Sequence, residues 1–277
     1  GVLAAGAGGG GGGVAAVSTV ITVFVTAGPV ISGNDLSVKF YNPTTGEEIP
    51  TSSVVQNADG SFSANLGSYS GIYMVVVYDT SDVTPDYIDE ATGQPIDLSA
   101  DLRALGTTPG GVSTINVTPL TEIATQSLGL IGGDGGSSAK VLPTLTEAQI
   151  TAANTSVATA FGLSGDVTTA EVQAVINADG TTAAGNDYGK VLAAISGLEQ
   201  VNSDAIGSMV VIGSALSEQQ KTELLLGASK VSESVSETLL ADIEALLDVV
   251  AGTGTSISAA LAKIEAYNNG DGTTPPA

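Results

Sequence analysis

The chain has 277 residues, room for two domains at roughly 100–200 residues each, and it carries 29 acidic against 7 basic side chains, a net charge of −22. That field repels nucleic acid and anionic membranes. The absence of cysteine and histidine removes disulfides, Cys/His metal sites, thiol nucleophiles and every Ser-His-Asp arrangement, and no stretch is apolar for long enough to span a bilayer.

Residues 1–18 read as a Gly-rich arm. Gly8 to Gly13 are six consecutive glycines, and ordering them costs more backbone entropy than any other sequence would. An ordered arm therefore needs a surface to clamp it, and a neighbouring copy is the expected clamp. The tract is no phosphate cradle, because it lacks the Lys-Ser/Thr of a P-loop. The numbered chain begins with Gly, and Val2–Ala7 read as the remnant of a longer apolar export signal.

From Val20 the pattern becomes that of strands. Val20, Thr22, Phe24 and Thr26 alternate with Thr19, Ile21, Val23 and Val25, which make one nearly aliphatic face. Leu36–Tyr41, a weaker segment over Glu48–Gln56, Ser61–Leu66 and Gly71–Tyr78 follow, separated by Gly/Pro/Asn/Asp turns. Gly71–Tyr78 (GIYMVVVY) is the most hydrophobic of them and is expected at the centre of a sheet. Asp79–Gly111 reads as irregular and acidic, and Ser113–Val117 as a last strand. Short strands at this spacing predict an antiparallel β-sandwich over residues 19–117.

Helical signals then take over. Thr118-Pro119 and Glu122 mark a helix start running to about Leu128, within a helix-and-linker segment over 118–143. Residues 144–269 are expected to be an α-helical bundle. Its helices are Thr146–Phe161, a capping box at Thr168–Glu171 opening a helix to Ala178, Tyr188–Val201, Asp204–Leu216, a second capping box at Ser217–Gln220 opening a helix to Lys230, Ser234–Val250 and Ile257–Tyr267. Residues 270–277 are a Thr/Pro tail. The fold class is thus α+β, sheets first and helices second.

The phrases TAGPVISGNDLSVKFY, NADGSFSANL and YMVVVYD, within residues 26–79, resemble the Ig-like or carboxypeptidase-regulatory-like β-sandwich of bacterial surface proteins. DYIDEATGQPIDLSADLRA and NVTPLTEIA, within 86–124, resemble segments that follow such a sandwich near the start of large secreted adhesins and biofilm-matrix proteins. Those proteins often carry a glycine run just before it. The resemblance covers about a third of the chain and implies extracellular display, adhesion or matrix assembly.

Two groups of residues are candidates for function. Asp79, Asp82, Asp86, Asp89 and Glu90 lie on one acidic stretch, and carboxylates on a loop suit calcium, which takes six to eight oxygens. The spacing is not that of an EF-hand, and solvated loop acids usually bind nothing, so no cofactor is expected unless calcium is taken there. Gly8, Gly13, Val20, Val23, Phe24 and Val25 are the candidate assembly residues, through strand addition to a neighbour's sheet edge. Sugar cleavage normally comes with aromatic platforms, and a chain with no Trp, four Phe and seven Tyr offers few, so the chain reads as a non-enzyme. The expected function is a homopolymeric structural subunit of an extracellular bacterial filament, sheath or biofilm matrix. The alternative is a surface adhesin module binding a glycan or protein ligand, with or without calcium.

Overall fold

The computed structural model describes residues 17–130 and 141–231, together with Ala241, Ile243 and Ala245. The chain is α+β. Among the described residues its order is β1 (Val20–Val25), β2 (Leu36–Tyr41), β3 (Ser53–Gln56), β4 (Phe62–Asn65), β5 (Gly71–Asp79), β6 (Tyr87–Ile88), β7 (Pro95–Ile96), β8 (Leu102–Thr108) and β9 (Val112–Val117), then five helices: α1 (Pro119–Ser127), α2 (Glu147–Ala160), α3 (Asp187–Glu199), α4 (Ala205–Ser208) and α5 (Glu218–Val231).

Two sheets share one apolar core. The first has the order β3-β4-β1-β9 and the second β2-β5-β8, while β6 and β7 form a small hairpin. Alternation decides which residues turn inward. Ile21, Val23 and Val25 of β1 join Val38 and Phe40 of β2, Tyr73, Val75 and Val77 of β5, and Ile115 and Val117 of β9 in a single cluster. The first sheet is mixed, which corrects the expectation of antiparallel strands throughout. β1 runs antiparallel to β4 but parallel to β9, with Val20 opposite Val112 and Val25 opposite Val117.

β5 is central in its sheet, flanked by β2 and β8, as its hydrophobic run predicts. Both of its faces are covered. Met74 and Val76 point away from the shared core and pack with Tyr41 and Leu105 against Leu130, Leu145 and Ile150. A strand buried on both sides needs no alternation. β8 escapes the sequence pattern for the same reason. It lies inside the stretch expected to be irregular, and its Arg103 and Gly106 dilute the apolar signal.

The helix starts are set locally. Thr118 and Thr121 cap each other's backbone N–H at α1, and Thr146 and Gln149 do so at α2. At α5 the Ser217 hydroxyl accepts from the Gln220 N–H and the Gln220 side chain accepts from the Ser217 N–H. Seven of the nine residues of α1 are buried, Glu122 among them, so the helix expected within a linker is a core element. Glu122 forms an ion pair with Arg103 of β8, the only arginine in the sequence. Arg103 Nε donates to Oε2 at 2.9 Å, its Nη2 to Oε1 at 2.5 Å, and its backbone N–H to Oε2 at 2.9 Å. The Thr121 hydroxyl donates to the Arg103 carbonyl at 2.8 Å. One residue of β8 is thus fixed to α1 through its side chain, its N–H and its C=O.

α3 and α5 cross at very close range. A Cβ placed on Gly197 would lie 2.0 Å from the Gly227 carbonyl oxygen, and one on Gly227 would lie 2.0 Å from that of Ala194. Only glycine permits this approach.

Two expected helices are corrected. Thr168–Ala178 makes a single turn and then runs irregularly. Asp166 Oδ1 accepts from both the N–H and hydroxyl of Thr168, Val175 N–H donates to Glu90, and Gln173 N–H donates to Asn186. Long-range partners outbid the local ladder. Asp204–Leu216 is helical only over α4. Beyond it the Gln220 side-chain amide donates to the carbonyls of Ser208 and Val210, at 3.0 and 2.7 Å. The weaker strand expected over Glu48–Gln56 is confined to β3. Of the expected Ser234–Val250 helix, Ala241, Ile243 and Ala245 are helical and Ile243 is buried with the helices. The rest of it, the Ile257–Tyr267 helix, residues 1–16 of the glycine arm and the Thr/Pro tail lie outside the described residues.

Breaking a buried ion pair from one side leaves an uncompensated charge, at about 3–5 kcal/mol. Arg103→Met is expected to lose stability on that scale in urea unfolding. The double variant Arg103→Met/Glu122→Leu should recover much of the loss, and equal losses in single and double variants would show the pair to be energetically idle.

Candidate functional site

The acidic stretch divides into two places. Asp35 immediately precedes β2, Asp79 ends β5 and Asp86 immediately precedes β6. Antiparallel pairing of β2 with β5 sets Leu36 opposite Asp79, which brings Asp35 beside Asp79, and the β6–β7 hairpin folds back to add Asp86. Carboxylate oxygens from these three residues all lie within 4.8 Å of one another. The local backbone is firmly held. Thr80 donates both its N–H and its hydroxyl to the Asp35 carbonyl, Ser81 N–H donates to Asp79 Oδ1, and Leu98 N–H donates to Asp86 Oδ2 at 2.9 Å.

Asp86 is fully buried. Burial pushes its carboxyl up to about 6, and the charges of Asp79 and Asp35 add to the rise, while the backbone amides of Leu98 and Asp35 pull the other way. Its Oδ1 has no hydrogen-bond partner, and neither has the solvent-shielded Oδ1 of Asp35.

Of the five acids read from the sequence, Asp79 and Asp86 join this cluster and Asp82 does not; it lies in the exposed turn between β5 and β6. Asp89 and Glu90 are also outside it, and they stitch the hairpin to the helical core. Asp89 accepts from the Ser196 hydroxyl, from Thr92 Oγ1 at 2.6 Å and from Gln200 Nε2 at 3.1 Å. Glu90, fully buried, accepts from Val175 N–H at 2.9 Å. Burial pushes its carboxyl up to about 8, with the Asp89 charge adding to the rise and the Val175 bond opposing it. Asp35 was missed because its place depends on the register of two strands far apart in sequence; the only local sign is the Asn34-Asp35 turn before β2.

The assembly residues fall as follows. Gly8 and Gly13 lie outside the described residues. Val23 and Val25 are buried in the chain's own core, Val20 is half-buried and Phe24 is exposed. Both backbone edges of β1 are taken, by β4 and β9. Phe24 borders a cleft of about 450 Å³ that Thr114, Asn116, Asp59 and Glu171 also line. The sequence contains two Asn-X-Ser/Thr matches, Asn116-Val117-Thr118 and Asn154-Thr155-Ser156, and the asparagine of each makes a hydrogen bond within the fold. Asn116 donates to the Ala170 carbonyl at 2.6 Å, and Asn154 is buried beside the Leu105 carbonyl.

In comparisons with known proteins the chain matches no family model, no curated protein and no solved structure. Among the described residues no helix is long and apolar enough to cross a membrane.

The Glu90 carboxyl keeps its proton in the fold up to about pH 8, whereas in the unfolded chain it loses it near the ordinary carboxylate value of 4.5. Between those values the folded state binds more protons, so the stability it contributes falls as pH rises. Glu90→Gln is expected to remove this dependence, flattening the stability-versus-pH curve between pH 5 and 8 by up to roughly 1 kcal/mol per pH unit. Denaturant unfolding of both proteins across that range checks it; parallel curves would mean that Glu90 is ionised in the fold.

Proposed function

We propose that this chain is a non-enzymatic structural subunit of an extracellular bacterial filament, sheath or biofilm matrix, and that it associates with copies of itself. In this reading the two sheets are an Ig-like β-sandwich and the helices a bundle built onto it. The observation that carries the proposal is the edge strand β3. It ends the first sheet, all four of its residues are exposed, and Val54 and Val55 are 36% and 54% exposed. Its sequence, Ser-Val-Val-Gln, contains neither charge nor proline, the devices that usually keep an open edge from pairing.

A strand of another copy adding to that edge would gain main-chain hydrogen bonds and cover the two valines. β1 is not the strand lent, since its own sheet uses both of its edges. The chemical inventory supports a structural role as well. The chain has no histidine or cysteine, its one arginine is spent on Glu122, and Asp89 and Glu90 are spent on internal hydrogen bonds.

Light scattering and negative-stain microscopy test the reading. The apparent mass is expected to grow with protein concentration. Val55→Lys, a surface change worth within about 0.5 kcal/mol of folding stability, should cut association at least several-fold while leaving the melting temperature unchanged. A monomer at every concentration and salt, or association indifferent to Val55→Lys, would overturn it.

A further inference from the structure

We propose that Asp35, Asp79 and Asp86 together bind one divalent cation of calcium type, which joins the start of β2, the end of β5 and the β6–β7 hairpin. Three carboxylates within 4.8 Å of one another repel strongly unless something positive lies among them. A second and independent sign is the state of individual oxygens. Asp86 is fully buried, yet its Oδ1 has no hydrogen-bond partner, and Oδ1 of Asp35 is likewise shut off from water without one. Buried polar atoms are nearly always paired, so an unpaired oxygen on the fully buried Asp86, inside a group of three carboxylates, points to a positive ligand held among them.

The donor set selects the ion class. Three carboxylates can supply up to six oxygens, and oxygen-only coordination is the preference of hard cations. The irregular setting, with one ligand from each of three different elements, suits calcium over magnesium, which demands near-ideal octahedral geometry and keeps its water. No nitrogen or sulfur donor that would favour zinc exists in a chain without histidine or cysteine. Hydrogen bonds already hold the three residues: Ser81 N–H donates to the Asp79 carboxylate, Leu98 N–H to the Asp86 carboxylate, and the Thr80 hydroxyl to the Asp35 backbone carbonyl. They fix the ligands before any ion arrives.

Differential scanning fluorimetry and calorimetric titration of the full chain, at constant ionic strength, test the proposal. Calcium chloride is expected to bind with a stoichiometry of one and a Kd of about 10⁻⁴–10⁻³ M, the range of extracellular modules. At tenfold excess over Kd it should raise the melting temperature by about 3–5 °C, reversibly on chelation and by more than magnesium does. Asp86→Asn and Asp79→Asn should abolish the shift, while Glu171→Gln, on an exposed acid elsewhere, should leave it intact. Should the two Asn variants fail to fold, terbium titration of the unaltered protein decides, because Tyr78 and Tyr87 adjoin two of the ligands and sensitise a bound lanthanide. One saturable site displaced by calcium supports the proposal. Unsaturable binding, no melting shift, or a full shift retained in folded Asp86→Asn would each overturn it and leave only screening of the net charge.

Discussion

The joint between sheet and helices depends on the buried contact of Arg103 with Glu122. Removing two charges from water is expensive, and the cost is recovered only when geometry is good and the remaining acceptors are satisfied. Here Glu122 accepts from the guanidinium, from the Arg103 backbone N–H and from the Gln126 side chain, while Thr121 closes the Arg103 carbonyl. Nothing else in the chain can take the place of this guanidinium. Because α1 packs in turn on α2, α3 and α4, this contact ties β8 to the helical half, alongside the apolar packing of β5 and β8 on Leu145 and Ile150.

A second constraint is how a chain with only 4% aromatic residues fills its interior. Small side chains leave voids unless backbones come close, and close packing is what interiors require. The Gly197–Gly227 crossing of α3 on α5 answers this need. So does Gly189, where a Cβ would lie 1.9 Å from the Gln173 carbonyl oxygen. The same crowding explains why residues 173–175 do not continue a helix. They are drawn against α3 and to Glu90, and their backbone groups bond there.

What was legible in the sequence was local. β1, β2 and β5 announce themselves by alternation or by a long apolar run, and the helix starts at Thr118, Thr146 and Ser217 by a hydroxyl residue followed by Pro119 and Glu122, by Glu147, and by Gln220. The strand β8 was hidden because a buried arginine reads as a surface residue. The Thr168 capping box misled because Asp166 and distant carboxyl and amide groups offered its backbone better partners. The acidic cluster was half legible. Asp79 and Asp86 stand out on an acidic stretch, but Asp35 joins them only through the β2–β5 register. The roles of Asp89 and Glu90 depend on Ser196 and Val175, about a hundred residues further on, which no local pattern foretells.

The parallel closure of β1 on β9 has a mechanical consequence. The two strands run side by side over six residue pairs, from Val20 with Val112 to Val25 with Val117. A pull on the chain ahead of Val20 and on the chain beyond Val117 therefore acts at opposite ends of the pair and along the strand axes. The evenly spaced bonds of a parallel ladder would then be loaded together in shear, instead of one after another as in the peeling of a hairpin. Separation under force is governed by the rate of that single cooperative rupture. Tension between those two points thus meets the ladder in its most resistant direction.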